Sequence, residues 1–373
     1  MSIPAFSSAS RLMLIAPHPD DEALACSIIL PRATAAGAAI RVVYATDGED
    51  NPWPQRALEC KWHLSAADRK RWGKLRRVEA LAALSVLRVN ASAVRFLALP
   101  DQKLTHLLMH DCRSTIEKIA AIISKWAPTH LLVPSLADTH PDHNALAVML
   151  RLVVGEFCPG ELGMSVWSYA VHGTSSAFFE LAQTIPQSDI EKAIKLRAIR
   201  CHKSQIKLSR KRFLSYASRP ERLLEVCAEE EAVASGPIHS ISRQPSSLQI
   251  KLELSPKLMP KVEPALFVLG HSTSGGLCCA RMQLPVRSGS VEMSDCVTHR
   301  CLGLARYRGI AFAGEFAIPI DVFSPAHALF VKLERRAWFF DEAGWLEVPS
   351  AANPKRVAAP KPNVPGELSL AIR

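Results

Sequence analysis

The chain has 373 residues, 48% of them hydrophobic and 21% charged, with a formal net charge of +10. That balance supports a packed core rather than a disordered chain, and at this length favours two domains over one. No apolar stretch reaches the length of a bilayer span, and Arg11 is the only basic residue ahead of the first apolar run, so neither a transmembrane segment nor a secretory signal is expected.

Residues 12–16 read as a strand and 23–36 as a helix. Residues 40–45 form a β-branched strand closed by Thr46-Asp47-Gly48. Residues 70–87 are a long helix, with Val78, Leu81, Leu84 and Leu87 at helical spacing. A third strand follows at 93–97, a helix at 112–126, a fourth strand at 129–133 and a helix at 144–154. A fifth strand at 165–171 and a helix at 190–208 complete the pattern. Strands alternating with helices predict an α/β fold, with a Rossmann-like, mostly parallel sheet sandwiched by helices. Such sheets bind ligands beyond the carboxyl ends of their strands, near a switch in strand order.

After about Ser235 the pattern changes. Residues 247–254 alternate with period two, and the later apolar runs carry no helical period. A second, β-rich, sandwich-like C-terminal domain is expected, with Asp341-Glu342-Ala343-Gly344 as a hairpin connection before 345–348. Prolines 354, 360, 362 and 365 predict a poorly ordered tail. The expected division is therefore 1–235, 236–350 and 351–373.

The ten cysteines show no CxxC pair, and a reduced, cytoplasmic compartment fits them best. Positive charge concentrates from Arg69 to Arg77 and from Lys203 to Arg212. The plain reading is solvated helix faces; the sharper one is an anionic group on a small-molecule or glycoconjugate substrate. Nucleic acid is not expected, because no aromatic residues are interleaved with these charges.

Two motifs carry chemistry. His18-Pro19-Asp20-Asp21-Glu22 follows the first apolar run, and His140-Pro141-Asp142-His143 follows the fourth. A hydrolytic zinc site wants three protein ligands and an open position. His18 and His143 supply imidazoles, one of Asp20 or Asp21 can close the set, and the other is left as a general base. His140 and Asp142 remain beside the ion, where an imidazole held by a carboxylate can stabilise an oxyanion. Each motif alone could be a turn with a helix cap, since Asp is favoured there. Together they complete a ligand set.

These motifs resemble the PIG-L/LmbE family of metal-dependent N-acetylglucosaminyl de-N-acetylases. The similarity extends to Thr46-Asp47-Gly48-Glu49, Arg76, Glu79, Leu99-Pro100-Asp101, Lys195 and Ser204-Gln205. It reaches about residue 210 and covers none of the β-rich remainder. The resemblance implies a hydrolase that removes the N-acetyl group from an N-acetylated amino sugar or glycoconjugate. It implies His18, Asp21 and His143 as ligands of a divalent metal, zinc first, with Fe2+ or another divalent ion as alternatives. Asp20 would be the general base, His140 would stabilise the tetrahedral oxyanion, and Asp142 would orient a neighbouring imidazole. Asp101 and Arg76 match positions that contact substrate in relatives.

This chain departs from the family in having Ala25-Cys26-Ser27 where members often carry a Gly pair. The insertion at 51–68 is long enough for a lid or substrate wall. His172, Trp53, Trp62 and Trp72 are read as structural rather than functional. The rival readings are a glycan- or partner-binding protein on an inactive scaffold, and an amidase acting on another sugar-conjugate amide. Oligomeric state is not legible.

Overall fold

The computed structural model describes residues 3–157, 163–173, 176–226, 236–254, 264–310, 313–334, 336–337 and 339–348. Seven strands form the first sheet: β1 (Arg11–Ala16), β2 (Ala39–Thr46), β3 (Val94–Leu99), β4 (His130–Pro134), β5 (Ser165–Tyr169), β6 (Gln183–Ile185) and β7 (Glu221–Glu225). Their order is β3-β2-β1-β4-β5-β7-β6. The first five strands run parallel, and β7 is antiparallel to both its neighbours. Strand order therefore reverses between β1 and β4, the two strands that precede the His/Asp motifs.

The helices are α1 (Asp21–Ala25), α2 (Ile29–Ala35), α3 (Pro52–Glu59), α4 (Ala66–Val86), α5 (Leu104–His110), α6 (Arg113–Trp126), α7 (Pro141–Phe157), α8 (Ser176–Leu181), α9 (Asp189–Cys201) and α10 (Lys203–Ser215). β1 is buried along nearly all its length, as a parallel strand covered on both faces must be. Met13 and Ile15 join a core with α5, α6 and α7, whereas Leu12 and Leu14 join one with α2, α4 and α9. The sheet is covered on both sides.

Two expected helices are each divided. The predicted helix at 23–36 breaks at Cys26-Ser27, because the Glu221 carboxylate accepts from Ile28 N (2.9 Å) and Ile29 N (3.3 Å) and so starts α2 afresh. The predicted helix at 190–208 breaks at His202, whose ring reaches Glu22 at 2.7 Å. β6 and β7 are additions that the periodicity did not signal.

The β-rich region has strands β8 (Ile238–Arg243), β9 (Ser247–Glu253), β10 (Ala265–His271), β11 (Leu277–Gln283), β12 (Arg287–Asp295), β13 (Cys301–Ile310), β14 (Ala313–Pro319), β15 (Leu329–Glu334), β16 (Arg336–Ala337), β17 (Phe340–Asp341) and β18 (Leu346–Glu347). Nine of them make one antiparallel sheet, ordered β18-β15-β10-β11-β12-β13-β14-β9-β8. It forms a half-barrel around its own core, which includes Leu266, Val268, Leu329 and Val331. Phe267, Leu269 and Phe330, on the opposite face, pack into the core of α5, α6 and α7. The 341–344 segment is not the hairpin turn expected: β17 pairs with β16, while β18 pairs with β15. Asp341 is drawn inward there by Lys332 and Asn144. The expected tail at 351–373 lies outside the described residues, and the expected boundary at 235 falls at the edge of a segment outside them. Among the described residues no helix is long and apolar enough to cross a membrane.

Candidate metal centre

Five parallel strands deliver the polar residues to one edge of the first sheet. His18 to Asp21 follow β1, Asp47 and Gly48 follow β2, Asp101 follows β3, Asp138 to His143 follow β4, and His172 follows β5. Thr46 Oγ1 donates to Pro17 O (2.9 Å) and accepts from Gly48 N (3.1 Å), tying the loops after β1 and β2 together.

His18 Nδ1 and His143 Nε2 face each other at 3.2 Å. Asp21 closes the group: Oδ1 lies 3.4 Å from His143 Nε2 and Oδ2 lies 3.8 Å from His18 Nδ1. Asp21 Oδ2 also accepts from His18 N at 2.8 Å, whereas Oδ1 is buried without a hydrogen-bond partner. A tetrahedral ion with bonds of about 2.0–2.1 Å spaces its ligand atoms about 3.3 Å apart. The 3.2 and 3.4 Å separations fit that spacing, the 3.8 Å one is longer, and an orphaned carboxylate oxygen is what an ion would satisfy.

The outer nitrogens fix the tautomers. His18 Nε2 lies 3.2 Å from Asp142 Oδ2 and 3.1 Å from Asp101 Oδ1, and His143 Nδ1 lies 3.1 Å from Asp138 Oδ2. A carboxylate can only accept, so both outer nitrogens donate and both inner nitrogens turn a lone pair toward the centre. Burial alone would lower the pKa of His18, yet Asp101 and Asp142 raise it well above its ordinary value. Burial likewise opposes the rise at His143, where Asp21 and Asp138 prevail. Burial raises the Asp21 carboxyl to about 6, against the pull of His143.

Among the described residues, the groups of three whose donor atoms all lie within 4.8 Å of one another are His18–His140–His143, Asp21–His143–His172 and His18–Asp101–Asp142. The last uses the outer side of His18. His140 is engaged differently: its Nδ1 accepts from Asp142 N at 3.2 Å, which leaves Nε2 carrying hydrogen. Burial, helped by the charges of His18 and His143, holds the His140 pKa well below the ordinary value, so this ring is a neutral donor.

Asp20 stands beside the cluster in a backbone conformation that L-residues rarely adopt, with φ 133° and ψ −23°. Such strain costs on the order of 1–3 kcal/mol and persists only where surroundings enforce it. Arg76 is the enforcer. Its guanidinium donates to Asp20 Oδ2 (3.0 Å), to Gly48 O (2.8 Å) and to Pro19 O. Gly48 has φ +65°, and a Cβ there would fall 1.7 Å from the Arg76 guanidinium. Arg76 is thus buried and committed to the protein, although it still borders the cavity. Asp101 is buried too; Oδ2 accepts from Asp50 N at 2.7 Å.

Sequence reasoning missed Asp138. It is fully buried and accepts from His143 Nδ1, Val171 N (2.9 Å), His172 N (3.2 Å) and His140 N (2.9 Å). Burial opposes ionisation, but His143 and those donors hold its pKa well below the carboxylate range. Its place two residues before His140 was the available signal. His172, read from sequence as structural, lines the cavity with its ring centroid 4.9 Å from that of His143. Trp53 also lines the cavity, while Trp72 is core and Trp62 is exposed. The cavity above the cluster measures about 250 Å³ and is bordered by His18, Asp20, Asp101 and His140.

A parallel α/β sheet with buried imidazoles and carboxylates gathered at its topological switch defines a class: an open α/β protein with a His/Asp cluster that could hold a metal ion. Residues 13–154 match the family model described as PIG-L: GlcNAc-PI de-N-acetylase. The 1D-myo-inositol 2-acetamido-2-deoxy-alpha-D-glucopyranoside deacetylase of Mycobacterium avium (strain 104) is 31% identical over 147 residues, covering 36% of this chain and 47% of the relative. The protein of the same description from Mycobacterium tuberculosis (strain ATCC 25177 / H37Ra) is 32% identical over 151 residues, covering 37% of this chain and 48% of the relative. The chain thus spans about half the length of the curated relatives it matches. Among solved structures, the N,N'-diacetylchitobiose deacetylase from Pyrococcus horikoshii is similar with a TM-score of 0.46 and 17% identity, over 58% of this chain and 84% of that one.

Proposed function

We propose that this chain holds one divalent metal ion, zinc first and Fe2+ as the alternative, through His18, Asp21 and His143. With it the chain hydrolyses the acetamide of an N-acetylated amino sugar or glycoconjugate. The observation that carries this reading is the pair of inner ring nitrogens, 3.2 Å apart, with the buried Asp21 carboxylate beside both, Oδ1 at 3.4 Å from His143 Nε2 and Oδ2 at 3.8 Å from His18 Nδ1. Bound there, the ion supplies a Lewis acid and brings the pKa of a water down to about 7.

The remaining chemistry belongs to the chain's own side chains. Asp20 accepts a proton from the attacking water at Oδ1, since Oδ2 is held by Arg76. The fixed guanidinium keeps that carboxylate aimed, so Arg76 serves the substrate through Asp20. His140 Nε2–H donates to the carbonyl oxygen as negative charge builds on it. Its neutral state suits that role, because it donates without first needing protonation. Asp20 then returns its proton to the departing amine. Asp142 orients the His18 ring, and Asp101 offers its remaining lone pairs to sugar hydroxyls.

In the same proposal residues 1–235 carry the chemistry and 236–350 form an accessory domain. Arg212 borders the cavity and supports an anionic group on the substrate. The free thiols among the described cysteines support a cytoplasmic location. The test is a panel of N-acetylated glycoconjugates assayed for free amine with chelator, without it, and after adding zinc back. Release that chelator abolishes and zinc restores supports the proposal. Release that ignores chelator overturns the metal, and absence of any free amine across the panel overturns the reaction.

A further inference from the structure

The cavity over the His/Asp cluster is not built by the α/β half alone. Phe339 and Phe340, from the β-rich region, line it together with Trp53 from α3 and Leu208 and Phe213 from α10. The Phe340 ring centroid lies 5.9 Å from that of His140 and 5.3 Å from that of His172, and the Arg212 guanidinium sits 5.5 Å from the Phe340 ring. An aromatic side chain of the C-terminal sheet region therefore touches both imidazoles that border the reacting end.

Its position is fixed by several ties to the loop that carries His140. Asp341 N donates to Thr139 O at 2.8 Å. Asn144 Nδ2, beside His143 on α7, donates to Asp341 Oδ2 at 3.0 Å, and the buried Lys332 ammonium pairs with the same carboxylate. A Cβ on Gly344 would fall 1.7 Å from Leu136 O, so only glycine permits this close approach. Trp345 is fully buried in the core shared with α5, α6 and α7. This segment is a built wall rather than a loose flap.

The mouth of the cavity has an unusual surface. Trp53 is 44% exposed, Leu208 50% and Phe339 43%, and they come from three separate segments. Single exposed apolar residues need no explanation, but several at one concave mouth mark a ligand surface. Leu208 and Phe339 carry no group that can hydrogen-bond a sugar hydroxyl, and Trp53 offers only its indole N–H. What they can bury is an apolar group attached to the sugar.

We propose that the Phe339-Phe340 turn is the specificity-determining element of this site, selecting an acetamido sugar whose anomeric substituent is apolar. The sugar half of that ligand rests on the deacetylase reading above; the apolar half rests on the mouth residues. Residues 339–345 thus complete a site whose ionisable groups all come from the α/β half.

The experiment uses the full chain loaded with zinc. Calorimetry compares p-nitrophenyl and methyl N-acetyl-β-D-glucosaminide, with N,N'-diacetylchitobiose as a third ligand, and free amine is measured on the same samples. The aryl glycoside should bind about tenfold tighter than the methyl one, the gain expected from burying one aromatic group. Phe340→Ala should remove about tenfold of aryl affinity and leave methyl affinity within about twofold. Phe339→Ala, which removes an exposed ring, should cost the aryl glycoside about threefold without disturbing the fold. Equal losses for both glycosides, no aryl preference in the wild type, or a preference for the disaccharide that Phe340→Ala abolishes would each overturn the inference. Free amine released from both glycosides without preference refutes this inference and leaves the deacetylase reading standing. An aryl preference sensitive to Phe340, with no free amine from any ligand, does the reverse.

Discussion

His18 Nδ1 and His143 Nε2 point at each other across 3.2 Å, while the far nitrogen of each ring is held by a carboxylate. Two lone pairs so placed repel unless a cation lies between them. Both rings have raised pKa values despite burial because carboxylates face them, Asp101 and Asp142 at His18 and Asp21 and Asp138 at His143.

Metal uptake must therefore expel protons. Groups with raised pKa values keep their protons above about pH 6.5, the ordinary imidazole value, so the ion competes poorly there and gains as the pKa is passed. Apparent zinc affinity should rise with pH from 6 to 8. Calorimetry in buffers of different ionisation enthalpy should detect proton release. Affinity that stays flat across this range contradicts the picture of the pair.

In the proposed metal site Asp138 acts only through His143. Asp138→Asn keeps the shape but offers His143 Nδ1 a weaker, neutral acceptor. Zinc affinity should fall by about 10- to 100-fold, the usual effect of losing a partner behind a ligating imidazole. Competition against a chromophoric chelator measures this. An unchanged affinity would reduce Asp138 to a loop brace.

Asp20 is expected to matter for turnover and not for metal content. Asp20→Asn should lower kcat by about 10²- to 10⁴-fold, the contribution typical of a positioned base, with zinc stoichiometry unaltered. Loss of zinc in this variant would make Asp20 a ligand instead. Retention of full turnover would remove it from the chemistry.

Lys332 is a stability residue at the join between the sheets. Its ammonium is buried against Asp341 and lies 3.3 Å from Asn144 Oδ1. Lys332→Met withdraws the cation from a buried carboxylate, at a cost on the order of 3–5 kcal/mol. Urea unfolding of the full chain should show a midpoint well below that of the wild type. A shift too small to measure would mean that water reaches this pair.

The parallel sheet was legible because its strands are short apolar runs ended by polar turns, and both motifs sit at such ends. His18, Asp20, Asp21, His140, Asp142 and His143 could be named because Pro and Asp place them in two compact words. The helix breaks at Cys26 and His202 were not legible. Each depends on a partner far away in the chain: Glu221, 193 residues from Ile28, and Glu22, 180 residues from His202. Asp138 escaped notice because it stands just outside the His140–His143 motif and its carboxylate accepts across loops, from His143, Val171 and His172. Phe340 lay beyond any local pattern, since its turn is positioned by Thr139 and Asn144 rather than by its neighbours in sequence.

The most direct test of the central claim is metal content by mass spectrometry on the purified full chain, alongside Asp21→Ala and His143→Ala. One zinc or iron per chain in the wild type, lost from both variants while circular dichroism is unchanged, is the result expected. Variants that fold and still carry a full equivalent of metal would contradict it.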